Sequence, residues 1–342
     1  MEIKKTKFDS YCLNGIAEGC KYCVKGEKLV LFVTGICKRN CWYCSLSNKR
    51  KNKDVIFANE RKCKNIKELF EEVKESRATS AGITGGDPLL FLPRTIKFAS
   101  ELKKRFGKEF HIHIYLPTKF VTAEKLEKLS KVVDEVRFHP EFLINKNTIN
   151  EDVKKISLAG LFWNKPNIGI ELPLLPDKKE EVVNFILKIK DYIGFVNLNE
   201  FELSDTNFNI ITKNYNLNRG GYVAKGSLEA GRWILDELRR KKVNLKVHLC
   251  TAELKNQHQF RNRLKKHKFL PYGKRTEDGT VIYLIVKKKL RGKRKFYDKR
   301  KNRTILSEDV ARKLLEKPGK YKIIRVEEFP TYDRIEVESG EI

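Results

Sequence analysis

Hydrophobic residues are distributed along the chain in two alternating patterns. Short apolar runs, typical of buried strands, occur at 28–34, 81–86, 111–116, 135–139, 167–172, 195–202 and 244–250. Between them, apolar residues recur at helical spacing at 65–77, 94–106, 123–131, 178–192 and 228–241. Strands that alternate with helices in this way predict βαβ units and therefore a parallel sheet.

The number of these units favours a barrel over a small open sheet. We predict an α/β fold with a partial (β/α)6-type TIM barrel. In such barrels the chemistry lies at the carboxyl ends of the strands. Several polar residues and glycines lie at or near predicted strand ends, namely Cys37, Gly85, Gly86, Asp87, His139, Glu171, Asn199 and Glu200.

The pattern changes at about residue 252. A basic helix is predicted at 257–267, a strand at 280–289, a helix at 307–316 and closing strands at 321–326 and 334–338. Between them, the run 287–303 is dominated by lysine and arginine, with Phe296 and Tyr297 embedded. We therefore predict three regions: a cysteine-bearing leader at 1–27, the barrel at 28–251, and a small basic α+β domain at 252–342.

The composition of the chain bears on where the protein resides and on what it binds. No apolar run reaches membrane-spanning length and the N-terminus lacks a signal-peptide profile, so we expect a cytoplasmic protein with no membrane partner. Eight cysteines in such a chain favour metal binding over disulfides. The net charge of +28 fits a nucleic-acid partner, or else the lysine-rich surface of a protein from a hot environment.

Three cysteines, Cys37, Cys41 and Cys44, follow the first predicted strand at the spacing Cys-x3-Cys-x2-Cys. A structural zinc site needs four protein ligands, and this loop supplies three. A [4Fe–4S] cluster held by three cysteines instead keeps one iron open for a substrate or cofactor. A zinc knuckle and a purely structural iron–sulfur site remain alternatives on these residues alone.

A second group of cysteines lies in the leader and at the end of the last barrel strand. Cys12, Cys20 and Cys23 lie in a glycine-containing segment that can fold around a metal, and Cys250 is the candidate fourth ligand. His248 or an exogenous group is the alternative fourth ligand. Zinc, a second [4Fe–4S] cluster and simple buried thiols all stay open, while Cys63 is assigned no role.

The cysteine spacing, with Tyr43 before the last cysteine, resembles the signature of the radical S-adenosylmethionine (SAM) superfamily. The segment Gly85-Gly86-Asp87-Pro88 after the second strand resembles the family's Gly-Gly-Glu-Pro motif, with aspartate in place of glutamate. The resemblance covers residues 28 to about 204. The chain is similar in particular to a group of proteins that are related to pyruvate formate-lyase activating enzyme and carry an extra N-terminal cysteine cluster.

The resemblance implies a barrel enzyme that uses a [4Fe–4S] cluster to cleave SAM reductively and abstract hydrogen from an unidentified substrate. An electron donor is then a required partner. By the same resemblance, Cys37, Cys41 and Cys44 hold the cluster. The expected SAM contacts are Tyr43, Gly85, Gly86, Asp87, Arg137 and Glu171. The last two rest on barrel position only, and capping of the barrel rim is the alternative role for each.

The basic run 287–303 suggests what the substrate is. Cationic side chains contact phosphates and aromatic rings stack on bases, so we expect tRNA or another RNA to bind the C-terminal domain. The alternative within enzymology is a protein-activating or protein-modifying enzyme. A third alternative is a non-catalytic, metal-stabilised RNA-binding protein.

Overall fold

The computed structural model describes residues 2–218, 220–316 and 319–342. Its strands are β1 (Ile3–Lys5), β2 (Tyr11–Leu13), β3 (Lys28–Phe32), β4 (Ile56–Ala58), β5 (Arg61–Cys63), β6 (Ser80–Thr84), β7 (His111–Pro117), β8 (Glu135–His139), β9 (Ile168–Leu174), β10 (Phe195–Glu200), β11 (Lys246–Cys250), β12 (Lys274–Arg275), β13 (Val281–Val286), β14 (Lys295–Asp298), β15 (Arg303–Leu306), β16 (Ile324–Glu328) and β17 (Glu336–Glu341).

The α-helices are α1 (Glu18–Val24), α2 (Ile66–Ser76), α3 (Leu92–Phe106), α4 (Ala123–Ser130), α5 (Ile149–Ser157), α6 (Lys179–Ile189), α7 (Phe208–Asn214), α8 (Ser227–Arg240), α9 (Arg261–Lys266) and α10 (Glu308–Leu315). Local chemistry fixes some of these ends. Asn65 caps α2 by accepting hydrogen bonds from the Lys67 and Glu68 amides. The predicted basic helix 257–267 instead begins with a π-helical segment, Leu254–Phe260, that leads into α9.

The main sheet has the strand order β1-β2-β11-β10-β9-β8-β7-β6-β3-β4-β5. Its central strands, β3 and β6 to β11, are all mutually parallel. In the described residues this makes seven parallel strands, one more than the predicted (β/α)6 count. The ladder ends at β1 and β5, which do not pair with each other, so the described sheet is an open barrel.

The alternation of side chains along the strands separates the core from the site. In β9, Ile168, Ile170 and Leu172 are fully buried on the outer face, where they belong to a core shared with the surrounding helices. Glu171, between them, points into the barrel interior. The same rule holds in β8, where Val136 is in the core and Arg137 is inside. The barrel therefore has a helix-covered apolar outside and a polar inside.

Residues 1–27, the predicted cysteine-bearing leader, pair with the barrel sheet and pack inside it. Strand β2 pairs antiparallel with β11, so the N-terminus extends the sheet. Helix α1 then enters the concave face, where the Gly19 amide donates a hydrogen bond to Glu135 Oε2 at 3.0 Å. A β-carbon on Gly19 would lie only 2.5 Å from His113 Nδ1, so only glycine fits there. Helix α1 thus fills part of the interior.

The chain beyond the barrel forms a second, antiparallel sheet of order β14-β15-β13-β16-β17, with β12 beside β13. Part of the basic run 287–303 is used internally. Arg303 pairs with Asp298 and Glu328 at 3.1 and 2.8 Å. Phe296 is half-buried and packs against the core of this sheet, so only part of its ring is open to stack on a base.

No helix in the described residues is long and apolar enough to cross a membrane.

Candidate active site

A cavity of about 690 Å³ lies at the carboxyl ends of the parallel strands. This size is typical of ligand sites, and the position is where barrel chemistry is expected. Cysteines from both predicted groups line it, together with polar residues from successive strands. The cavity is lined by cysteines, by two glycines and by polar or aromatic side chains. These include Cys20, Cys23, Lys28, Cys37, Cys41, Tyr43, Cys44, Gly85, Gly86, Tyr115, Arg137, His139, Glu171, Asn197, Asn199, His248, Cys250 and Lys255.

The cysteine loop after β3 is held in place from several sides. The Arg39 guanidinium donates hydrogen bonds to the carbonyls of His139 and Pro140 at 2.6 and 2.9 Å. The Thr206 hydroxyl donates to the carbonyls of Cys44 and Leu46 at 3.0 and 2.6 Å. The loop is thereby anchored to two other strand ends of the barrel, and its three thiols face the cavity.

The spacing of these thiols bears on which metal they fit. In the described residues, no three cysteine sulfurs lie within 4.8 Å of one another. A single tetrahedral zinc with bonds of about 2.3 Å would draw its thiolates to about 3.8 Å apart. A polynuclear cluster, in which each sulfur binds a different iron, does not need the three thiols to be this close. Burial raises the pKa of Cys37 and Cys41, so metal binding has to displace their protons.

The glycine turn after β6 packs directly on the cysteine loop. The Gly86 amide donates to the Thr34 carbonyl at 2.7 Å, and the Asp87 amide donates to the Ile36 carbonyl at 2.9 Å. A β-carbon on Gly85 would lie 2.5 Å from the Thr34 oxygen, and one on Gly86 would collide with the Ile36 carbonyl. The two predicted motifs therefore form one unit, and the glycines permit the close approach.

Asp87 lies behind the cavity rather than on its wall. Its Oδ1 accepts the Leu89 amide at 2.9 Å and caps a short 3₁₀ helix, Pro88–Phe91. Its Oδ2 is buried and has no hydrogen-bond partner in the described residues. Burial raises the pKa of Asp87 to about 6. The structure thus gives Asp87 a role in shaping the turn, whereas Gly85 and Gly86 reach the cavity.

Because Gly86 touches the loop, we predict that Gly86→Ala slows SAM cleavage by about 100-fold, the usual penalty for displacing reacting groups by about 1 Å. The measurement is 5′-deoxyadenosine formation by the reconstituted protein. Gly160→Ala is the matched control, since a β-carbon there meets nothing within 4 Å. Equal rates in the two variants would contradict the predicted packing role.

A hydrogen-bonded chain joins Tyr43, His139 and Glu171. His139 Nδ1 lies 2.8 Å from the Glu171 carbonyl, which can only accept, so Nδ1 carries the proton. Burial, assisted by the nearby Arg39, lowers the pKa of His139 to about 4, and the ring is neutral at pH 7. Its Nε2 is then an acceptor for the Tyr43 hydroxyl at 3.3 Å. The side chain of Tyr43 is thus fixed beside the cysteines.

Arg137 and Glu171 form a buried ion pair at 3.0 Å. Arg137 also binds Glu135 at 2.7 Å, and all three of its side-chain nitrogens have protein partners. Glu171 accepts further bonds from Asn197 and Asn199 at 3.1 and 2.8 Å. Burial alone would raise the pKa of Glu171, but Arg137 and the two amides outweigh it and lower that pKa.

Of the second cysteine group, the structure brings Cys20, Cys23 and Cys250 to the same cavity. Cys12 is not among the residues that line it in the described part of the chain. Burial raises the pKa of Cys20 to about 11 and raises that of Cys250 further.

Several residues on the cavity wall have no role predicted from the sequence. Lys28, Tyr115 and Asn197 all lie at inward positions of their strands, and Lys255 follows β11. A signal was available for the first three, because strand alternation puts them on the same face as Arg137 or Glu171. No sequence signal indicated Lys255, because the π-helical segment that contains it has no clear sequence pattern.

Comparison with known proteins identifies the family. The radical SAM superfamily profile matches residues 31–163. The chain is also 38% identical over 297 residues to "Putative glycyl-radical enzyme activating enzyme MJ0021" of Methanocaldococcus jannaschii, which covers 82% of this chain and 76% of that protein.

Two solved structures give weaker matches. The structure of anSMEcpe with bound AdoMet has a TM-score of 0.38 and 16% identity, covering 64% of this chain and 60% of that one. The methyltransferase TsrM from Kitasatospora setae has a TM-score of 0.37 and 12% identity, covering 57% and 41%. Scores at this level establish neither a shared activity nor a shared substrate.

The identity to the M. jannaschii protein extends over most of both chains, well beyond the cysteine loop. The superfamily predicted from the two motifs is confirmed. The chain therefore belongs to the radical SAM superfamily, is related to the pyruvate formate-lyase activating enzymes, and is an enzyme whose cofactors are a [4Fe–4S] cluster and SAM.

Proposed function

We propose that this enzyme activates a partner protein by abstracting a hydrogen atom from a glycine in that protein. The observation that carries the proposal is the 38% identity to a protein named as a glycyl-radical enzyme activating enzyme. Together, the reduced cluster and SAM supply a 5′-deoxyadenosyl radical, which is strong enough to abstract hydrogen from carbon. The hydrogen moves from the glycine α-carbon to the deoxyadenosyl group, and the glycine keeps the unpaired electron.

In this proposal the cysteine loop and the glycine turn hold the cofactors. Cys37, Cys41 and Cys44 bind the cluster, and the backbone of Gly85 and Gly86 meets the SAM amino group. The backbone near Tyr43 lies against the adenine. The support is that all of these residues line one cavity and that the glycine turn packs on the cysteine loop.

Glu171 and Arg137 have different roles in this proposal. Glu171 lines the cavity, and its carboxylate can accept hydrogen bonds from the SAM ribose hydroxyls. The nitrogens of Arg137 are engaged by Glu135, Glu171, Tyr115 and Cys20, so we assign it the positioning of Glu171 rather than a contact to SAM.

A protein partner also suits the surface beside the cysteine loop. The segment after β10 carries Thr206, whose hydroxyl bonds to this loop. Phe208 and Ile210, which follow it closely in the chain, are exposed, and so is Tyr222, whose carbonyl accepts a hydrogen bond from the Leu203 amide. Aromatic side chains such as those of Phe208 and Tyr222 are enriched where proteins meet. RNA stays a prediction: in the described residues, none of the basic run 287–303 lines the cavity.

The test uses anaerobic extract from cells grown on glycine deuterated at the α-carbon, separated into protein and RNA fractions. Reconstituted enzyme, reductant and SAM are added to each fraction, and 5′-deoxyadenosine is analysed by mass spectrometry. We expect the protein fraction to transfer deuterium into the product and to develop a glycyl radical signal in electron paramagnetic resonance.

A Cys41→Ala enzyme is the control, and it should give no deuterated product. Stimulation by the RNA fraction alone, with no deuterium transferred from protein, would overturn the proposal and favour an RNA substrate.

A further inference from the structure

The three cysteines Cys20, Cys23 and Cys250 come together although they are far apart in the chain. Cys20 and Cys23 lie one turn apart on α1, inside the barrel, and Cys250 ends β11. The Cys20 thiol lies 3.5 Å from Asn197 Oδ1. Asn197 pairs in register with His248 on β11. His248 lies two residues before Cys250, so the two side chains are on the same face of that strand. The thiol of Cys20 therefore lies next to the strand that carries Cys250.

His248 is a buried side chain near these cysteines in the sheet, and one of its ring nitrogens has no hydrogen-bond partner in the described residues. It is 98% buried (2% exposed) and lines the cavity. Its Nε2 lies 3.1 Å from the Ser10 hydroxyl, whereas its Nδ1 has no hydrogen-bond partner in the described residues. A buried ring nitrogen normally has a partner. Metal-ligating histidines typically bind with one nitrogen and hydrogen-bond through the other, which is the arrangement left open here.

Cationic and amide side chains surround two of the thiols. Arg137 Nη2 lies 3.5 Å from the Cys20 sulfur, and Gln259 Nε2 lies 3.7 Å from the Cys250 sulfur. Two lysines, Lys28 and Lys255, also line this cavity. Cationic and amide donors around cysteine sulfurs stabilise the negative charge of a metal–thiolate centre.

We propose that Cys20, Cys23 and Cys250, with His248 Nδ1 as the fourth ligand, hold a second iron–sulfur cluster on the wall of the SAM cavity. Cys12 is not a ligand of this centre. A cluster binds each thiol through a different iron, so it does not need three cysteine sulfurs within 4.8 Å of one another, a spacing that a single zinc requires and that is not found in the described residues.

Helix α1 is built into the barrel in a way that serves this centre. Gly19, next to Cys20, packs against His113 and Arg137 too closely for a β-carbon. Its amide is bound by Glu135 at 3.0 Å. The position of Cys20 is thus fixed by barrel residues, as a preformed ligand set requires.

The test is the iron, sulfide and zinc content of anaerobically reconstituted full-length protein, with Mössbauer and electron paramagnetic resonance spectra. We expect about eight irons per chain, as two [4Fe–4S] clusters contain. The triple variant Cys37→Ala/Cys41→Ala/Cys44→Ala should keep about four irons and lose only the SAM-responsive signal. The triple variant Cys20→Ala/Cys23→Ala/Cys250→Ala should also keep about four, with the SAM-responsive signal intact.

Cys12→Ala/Cys63→Ala is the matched control and should keep the wild-type iron content. His248→Ala should keep the iron but change the resonance of the second cluster. About four irons in the wild type with none in the first triple variant would overturn the inference, and so would one zinc per chain in place of the second cluster. Iron content does not depend on the substrate, so this result is separate from the glycine test.

Discussion

Replacing Cys41 with alanine should abolish the formation of 5′-deoxyadenosine from SAM. Cys41 is one of three thiols that the loop after β3 presents to the cavity, and a cluster missing one of three ligands is not held there. Even the loss of a group that only supports a metal ligand reduces activity by about 10–100-fold. We therefore expect a fall of more than about 100-fold, measured with dithionite as reductant under anaerobic conditions.

Cys63→Ala is the control for this variant. Cys63 is also a buried cysteine, but it lies in β5 with its thiol near the Arg61 carbonyl and is not on the cavity wall in the described residues. Its product formation should equal that of the wild type. A Cys41→Ala protein that forms the product at the wild-type rate would show that the loop does not hold the cluster.

The largest effect on stability is expected from Arg137→Met. This change removes the positive charge and keeps much of the side-chain volume. Arg137 is 3% exposed and pairs with Glu135, which is fully buried, and with Glu171. Removing one partner of a buried ion pair leaves an uncompensated charge and costs about 3–5 kcal/mol. We expect a loss of this size in the free energy of unfolding, measured by denaturant titration.

Lys128→Met is the matched control for the charge change. Lys128 pairs with Glu124 at 2.6 Å on the exposed face of α4, where water screens the interaction. Its effect on unfolding should lie within the error of the measurement. If Arg137→Met is no more destabilising than Lys128→Met, the buried network does not stabilise the barrel as described.

Net charge and a basic run do not by themselves show how many of the charges are free to bind a partner. The net charge of +28 and the run 287–303 led to the RNA prediction. In the structure, Lys301 and Arg303 bind Glu328 at 2.7 and 2.8 Å, and Phe296 packs on the core of the second sheet. A sequence run does not show which of its charges are paired, because Glu328, the acid that binds both Lys301 and Arg303, lies 27 and 25 residues further on.

Local sequence predicted most of the barrel elements. The strand 135–139 has the predicted bounds, and Asn65 forms the predicted cap of α2. These elements depend on periodicity and capping, which act within a few residues. The hairpin of β4 and β5 was missed, because its strands have only three residues each and carry no clear alternation.

The placement of the leader, residues 1–27, could not be predicted from local sequence patterns. Its glycines and cysteines predicted a loop around a metal, whereas strand β2 joins β11 and α1 lies inside the barrel. Both placements depend on partners more than 100 residues away, such as Glu135 and His248. No local pattern specifies them.

The sequence by itself determined the family, and it predicted the cysteine loop and the glycine turn as the places where the cofactors bind. Both depend on short motifs in which the residue types and their spacing indicate the cofactor chemistry. Only the tertiary structure decided that Cys20, Cys23 and Cys250 share the cavity of Cys37, Cys41 and Cys44 while Cys12 does not line it. It also decided that the donors of Arg137 are engaged by protein groups. The reason is that side-chain direction and long-range strand pairing are set by packing of the whole barrel, and short sequence patterns do not record them.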